Sequence, residues 1–410
     1  MSKFASRMKS MEKSAAVIRN LFGAMNDPEV ISFGGGAIAK ECLPVETIRE
    51  ITQDILQRDT RGVEALSYGP VMGVRDLREV VISDLIEPKG VMTTVENTMI
   101  LAGGLEAMNL MCQVFIDPGD VILVESPTFV HSVEIFDMFQ AKCIAVETDE
   151  NGMNMDDLEE KIKKYNPKMI YLIPTFQNPT GITLSLERRK RAALLASQYD
   201  VVVLEDDPYR DIRYNGVELP PVKAFDATGH VVMANSFSKI FSPGSRLGYL
   251  VADETIMEKL ADAKSATNSH TAILPQIICA EFFKRGHYPE HHRKLCSVHK
   301  VRRDAMLESI DRYFPMGTKR TSPDGGLFTW AELPQGLNTT KMLTEASTNP
   351  EVKVAYVAGE GFFTQGNGKG NNCMRLSFGA VPPEKIREGI EKLGNLLRQY
   401  EGKYSMKVGS

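Results

Sequence analysis

No two of the six cysteines (42, 112, 143, 279, 296 and 373) form a Cys-x-x-Cys pair; they lie scattered along 410 residues. That spacing argues against a disulfide framework or a zinc ribbon and suits a reduced, cytoplasmic chain with buried thiols. No apolar run approaches the ~20 residues of a bilayer-spanning helix, so no membrane partner is expected. The formal net charge is only −5 and no basic stripe is present, which argues against nucleic acid. Neither a Walker loop nor a Gly-x-Gly-x-x-Gly fingerprint occurs, which removes two signatures of nucleotide binding. Internal repeats and low-complexity tracts are lacking as well. His287, His291 and His292 invite a metal reading, but Pro289 interrupts helical spacing between the first two. A solvated loop is expected there, and no metal site.

What is present is a series of short, nearly continuous apolar runs: 98–102, 121–125, 143–146, 169–173, 201–205, 231–234 and 247–251. Such runs suit strands buried on both faces, in a mostly parallel sheet flanked by helices. Ligands of such sheets bind beyond the carboxyl ends of the strands. Polar clusters follow several of the runs directly. Gly103-Gly104-Leu105 opens a helix, whose free amides favour an anion. Glu125-Ser126-Pro127-Thr128-Phe129 sets an aromatic ring at a strand mouth, where it can stack on a heteroaromatic ring. Asn178, in Asn178-Pro179-Thr180-Gly181, offers an amide donor to a phenolate oxygen. Asp206 and Tyr209 lie in Glu205-Asp206-Asp207-Pro208-Tyr209; a buried carboxylate at that place calls for a cation such as a protonated pyridine nitrogen. Ser236-Phe237-Ser238-Lys239 and Arg246 supply an amine that can condense with a carbonyl cofactor, beside donors for a phosphate. Together these meet the demands of pyridoxal 5′-phosphate.

On those motifs the chain resembles the fold type I pyridoxal-phosphate enzymes, specifically class I/II aminotransferases of the 2-aminoadipate, kynurenine and aromatic subgroup and the MocR-like catalytic domains. The resemblance runs from about Ser14 to near Tyr400 and implies an α/β fold. A mostly parallel seven-stranded sheet flanked by helices is expected, with a smaller α+β domain beside it. By this likeness Lys239 carries the cofactor, Asp206 pairs its pyridine nitrogen, and Asn178 and Tyr209 contact its phenolic oxygen. Phe129 stacks on the ring, while Ser236, Ser238, Arg246 and the amides of Gly104 and Leu105 hold the phosphate. Tyr68, in Tyr68-Gly69-Pro70, reaches the partner subunit's phosphate in a homodimer with shared active sites. Arg375, in Met374-Arg375-Leu376-Ser377-Phe378, binds the substrate carboxylate, with Asn178 and Gly36 nearby.

The expected domains are an N-terminal arm (1–30), a large cofactor domain (55–285) and a small domain (31–54 with 286–410). Asp324–Trp330 and Met374–Phe378 read as strands of the small domain and Pro382–Tyr400 as its closing helix. The basic stretch Ser2–Met25 reads as an arm helix near the active site. Two departures from the family pattern stand out. Gly104-Leu105-Glu106 replaces Ser-Gln-Gln, which removes a side-chain phosphate donor and places the charge of Glu106 near the phosphate. The segment Ser32–Lys40 lacks the usual proline after its glycines. The expected reaction moves the amino group of an L-amino acid to a 2-oxo acid, 2-oxoglutarate by resemblance. The same residues serve a C–S β-lyase, decarboxylase or racemase as an alternative. A MocR-type regulator is not expected, since too few residues precede Gly34 for a helix-turn-helix domain.

Overall fold

Valine, isoleucine and leucine fill all seven apolar runs, and every run is a strand. In the computed structural model, which describes residues 3–5, 7–8, 27–57 and 61–408 (side chains to 401), they form one sheet. The strands are β1 (Thr98–Leu101), β2 (Val121–Ser126), β3 (Lys142–Asp149), β4 (Gly152–Met153), β5 (Met169–Leu172), β6 (Val202–Asp206), β7 (Val231–Ser236) and β8 (Gly248–Val251). Their order is β1-β8-β7-β6-β5-β2-β3-β4. The eighth strand, β4, is the two-residue return of a hairpin at the edge. From β7 across to β3 all pairings are parallel. β8 runs antiparallel to both its neighbours. Residues of β1, β5, β6, β7 and β8 are buried throughout, as strands covered on both faces must be. The arm helix expected over Ser2–Met25 lies almost wholly outside the described residues.

A second, antiparallel sheet has the order β9 (Lys319–Arg320), β10 (Phe328–Glu332), β12 (Cys373–Ser377), β11 (Val357–Ala358). Arg375 sits mid-strand on β12, between Trp330 and Val357. β10 starts at Phe328 rather than Asp324, because the backbone turns at Gly325–Gly326 against Phe176. A Cβ on Gly325 would fall 2.2 Å from that ring, and Gly326 has φ +72°.

The helices used below are α1 (Val45–Ile55), α2 (Gly104–Phe115), α3 (Leu186–Gln198), α4 (Glu254–Asn268), α5 (Ile273–Lys284), α6 (Tyr288–Tyr313) and α7 (Pro383–Val408). Ile51 and Ile55 of α1 join Ile100 and Met233 in an apolar cluster of the large sheet. The long α6 serves both sheets: Leu295 packs with the large one, Met306 and Ile310 with the small one. The histidine cluster is a correction, for it forms the start of α6 and not a solvated loop. Pro289 falls in the first turn, where its missing N–H costs nothing. His291 is 9% exposed and His292 Nε2 bonds the carbonyl of Asp211. No metal-ligand cluster occurs among the described residues.

Arg189 of α3 ties fold to site. Fully buried, it donates to the carbonyls of Leu184 (2.9 Å), Pro174 (2.6 Å) and Pro220 (3.2 Å) and to Thr175 Oγ1 (3.1 Å). It thereby holds both ends of the loop that carries Asn178. Arg189→Leu should destabilise the chain by about 2–4 kcal/mol, because buried carbonyls lose a charged donor. A urea midpoint unchanged from wild type would show that this clamp contributes nothing.

Candidate active site

Every candidate except Tyr68 lines a single cavity of about 580 Å³, at the carboxyl ends of β2, β5, β6 and β7 and under Arg375 of β12. Topology does the gathering. Parallel strands deliver Phe129, Asn178, Asp206, Ser236 and Lys239 to the same end of the sheet. Tyr68 is 95% exposed outside this cavity, its ring against His270.

Lys239 Nζ donates to the Gly36 carbonyl at 2.6 Å and lies 5.9 Å from the centre of the Tyr209 ring. Burial pushes its ammonium down to about 8, helped by the charges of Arg375 and Arg246 and opposed by Asp206. Near neutrality it therefore holds an appreciable neutral fraction, which a nucleophile or base requires. Asp206 is 4% exposed, and its carboxylate accepts from Tyr171 Oη at 2.8 Å. Burial raises it to about 7; the Tyr171 bond offsets part of that and the neighbouring Asp207 adds to it. Asn178 Nδ2 donates to Tyr209 Oη at 3.3 Å, while Asn178 Oδ1 accepts from Arg375 Nη1 at 2.8 Å.

At one end of the cavity, Ser236 Oγ, Ser238 Oγ and Arg246 Nη1 form a chain with spacings of 2.9 and 3.5 Å. Gly103 has φ +93°, and a Cβ there would fall 2.2 Å from Arg246 Nη2, so only glycine lets the guanidinium reach the start of α2. Glu106, expected to bring negative charge near this end, is paired. It is not part of the cavity wall, and its carboxylate is bonded to Lys264 Nζ (2.9 Å) and Asn268 Nδ2 (2.7 Å). The opposite end belongs to Arg375, 5% exposed, whose guanidinium lies 4.3 Å from the Phe328 ring and 5.3 Å from Phe362. It also donates to the Gly34 carbonyl, and its buried Nε has no hydrogen-bond partner among the described residues. Burial lowers this guanidinium to about 10.

Tyr171, His131, Phe328 and Phe362 join the site beyond the residues that the sequence motifs point to. Tyr171 stands inside a strand, where nothing in its neighbours announces a polar duty. His131 lies two residues beyond Phe129 and was within reach of that motif. Its half-buried ring packs 5.2 Å from Phe129. Phe328 and Phe362 come from the small sheet and its connections, so only tertiary structure brings them to the cavity.

The family model "Aminotransferase class I and II" matches residues 28–393. The chain belongs to the class I and II aminotransferases. An aromatic-amino-acid aminotransferase from Thermococcus litoralis is 39% identical over 396 residues, 95% of this chain and 93% of that one. The crystal structure of a Pyrococcus horikoshii kynurenine aminotransferase, in complex with PMP, superposes with a TM-score of 0.90 at 36% identity, covering 97% of each chain. An α-aminoadipate aminotransferase from Thermus thermophilus, complexed with N-(5′-phosphopyridoxyl)-L-leucine, gives 0.87 at 33% identity, covering 97% of this chain and 98% of that one. The aminotransferase thus has the fold type I architecture and works on amino acids with pyridoxal 5′-phosphate.

The residues fit that cofactor. Asp206 is a buried carboxylate with no salt bridge among the described residues, which a pyridinium proton would relieve. Arg246 likewise has no carboxylate partner among them, and it faces two hydroxyls and the amide end of α2. In the cofactor-free protein the raised pKa of Asp206, a weakened acidity, sets a sign. The folded state binds its proton more tightly than the unfolded one, so stability is lost as pH rises from about 4 to about 7. Asp206→Asn should therefore raise the melting temperature of the cofactor-free protein at pH 8 and leave it unchanged at pH 4. A fall at pH 8 would contradict this electrostatic account.

Proposed function

We propose that the aminotransferase transfers the amino group of an L-amino acid with an aromatic or other large apolar side chain, with 2-oxoglutarate as acceptor. One observation carries the reading: an amine, a carboxylate and a guanidinium converge on one apolar-walled cavity as Lys239, Asp206 and Arg375. Phe328, Phe362, Val357 and Met108 line it and favour apolar side chains. The names of the aromatic-amino-acid and kynurenine relatives support the same class.

Pyridoxal 5′-phosphate, when bound, supplies an aldehyde that bonds amines and a ring that withdraws electrons from the adjoining carbon. Lys239 Nζ takes the proton from the substrate's α-carbon and carries it for return, a duty matched by its depressed basicity. Asp206 holds the ring-nitrogen proton, with Tyr171 fixing its other contact. Asn178 and Tyr209 would meet the cofactor's phenolic oxygen, and Phe129, on the same cavity wall, would contact the ring. Gly104, Leu105, Ser236, Ser238 and Arg246 take the phosphate. Arg375 grips the substrate carboxylate between Asn178 and Gly34, near Gly36, with its aromatic neighbours keeping water out.

We further propose a cytoplasmic homodimer in which Tyr68 completes the partner's phosphate site. Tyr68, Leu66 and Val63 are 95, 76 and 57% exposed, a run of uncovered apolar side chains that a second copy would bury. All six cysteines are free, as in a reducing compartment. No helix among the described residues is long and apolar enough to cross a membrane. We propose residues 1–30 as an arm, 55–285 as the large domain and 31–54 with 286–410 as the small one, the seam passing through the end of α1 and the connection between α5 and α6.

Arg375→Ala should cost about 2–5 kcal/mol in kcat/KM for amino acids, because a buried charged pair is lost. Amines without a carboxylate should change far less. A donor panel with 2-oxoglutarate, followed by oxo-acid formation, tests the substrate class: aromatic donors should lead, and preference for small polar donors would refute it. Light scattering should give a dimer, and mixing Lys239→Ala with Tyr68→Ala chains by co-expression should restore activity that neither has alone. An active monomer would overturn the shared site.

A further inference from the structure

Glu106 and Lys264 form an ion pair behind the phosphate end of the cavity. Lys264, on α4, is fully buried, and Glu106, in the first turn of α2, is nearly so. The ammonium donates to both carboxylate oxygens at 2.9 Å, to Thr271 Oγ1 at 3.1 Å and to Asn268 Oδ1 at 3.3 Å. Asn268 Nδ2 adds a bond to Glu106 at 2.7 Å. Thr271 in turn donates to the Ile100 carbonyl of β1 at 3.1 Å. The Glu106 carboxylate also accepts the backbone N–H of Ala102, which leads into the turn at Gly103.

Burying an ion pair of this kind brings little net stability, so its value lies in fixing geometry. The turn 102–105 is gripped from two sides. Arg246 closes on Gly103 from the cavity, and Glu106 pulls on Ala102 from behind, held by Lys264. Between these contacts the chain has little freedom, and Gly104 and Leu105 are left on the cavity wall. We propose that the Glu106–Lys264 pair is a positioning device that aims the amides of Gly104 and Leu105 at the cofactor's phosphate, compensating for the side-chain donor this chain lacks there. Its two residues touch no reacting atom. The proposal rests on seating the phosphate against Gly104, Leu105 and Arg246.

Full-length protein freed of cofactor is titrated with pyridoxal 5′-phosphate and with pyridoxal, which lacks the phosphate, and melting temperatures are recorded in parallel. Lys264→Met should weaken pyridoxal 5′-phosphate by about tenfold or more and leave pyridoxal within about twofold, since only the phosphate uses the aimed amides. Asn268→Ala, a milder change at the same carboxylate, should shift the same ratio less. In the double variant Lys264→Met with Glu106→Leu, the unpaired charge is gone and melting should recover, while phosphate preference stays low. Equal loss of both ligands in Lys264→Met and Asn268→Ala, or restored phosphate preference in the double variant, would overturn the proposal. Arg246→Ala separates the two layers: it should lower phosphate preference whatever the pair does. If it does not, the phosphate seat itself is wrong.

Discussion

The burial of an amine and a carboxylate in one cavity sets the terms for everything around it. Lys239 and Asp206 sit at the mouths of adjacent parallel strands, the lysine half-buried and the aspartate buried, where each would rather be neutral. Lys239 is also surrounded by like charge from Arg375 and Arg246. This arrangement is poor for stability and good for chemistry. It keeps a lysine poised to give up its proton near neutrality, and it leaves a carboxylate and two guanidiniums in want of partners. A cofactor with a ring nitrogen and a phosphate, together with a substrate carboxylate, meets all three wants at once.

The rest of the fold keeps those groups from relaxing toward one another. Tyr171 claims one side of Asp206 from the neighbouring strand. Glu125, raised to about 8 by burial, accepts from the Ile173 amide and from Gln177, and so joins the ends of β2 and β5 next to Asn178. Arg189 clamps the same loop from behind. Arg375 comes from a different sheet altogether and meets Asn178 across the cavity. The site is therefore assembled from both sheets, and the position of β12 over the large sheet decides where a carboxylate can lie.

Much of this was legible in the chain. The seven apolar runs were long and pure enough to be strands, and the residues that follow them were chemically odd for solvated loops. Asn178, Asp206 and Lys239 could be placed together because parallel strands point their ends the same way, and Arg246 follows Lys239 by only seven residues. What stayed hidden was tertiary. Nothing local tells that Glu106 folds back onto Lys264, 158 residues away, or that Phe328 and Phe362 flank Arg375. Pro289 shows the limit of a local rule: it forbids a helix interior, yet it begins α6.

We propose Lys239 as the residue to which the cofactor is bonded. Borohydride reduction of the yellow, cofactor-loaded protein, followed by peptide mapping, tests it directly. A single phosphopyridoxyl label should appear on Lys239, and none in the Lys239→Ala variant. A label on another lysine, or a loaded protein that yields none, would contradict it.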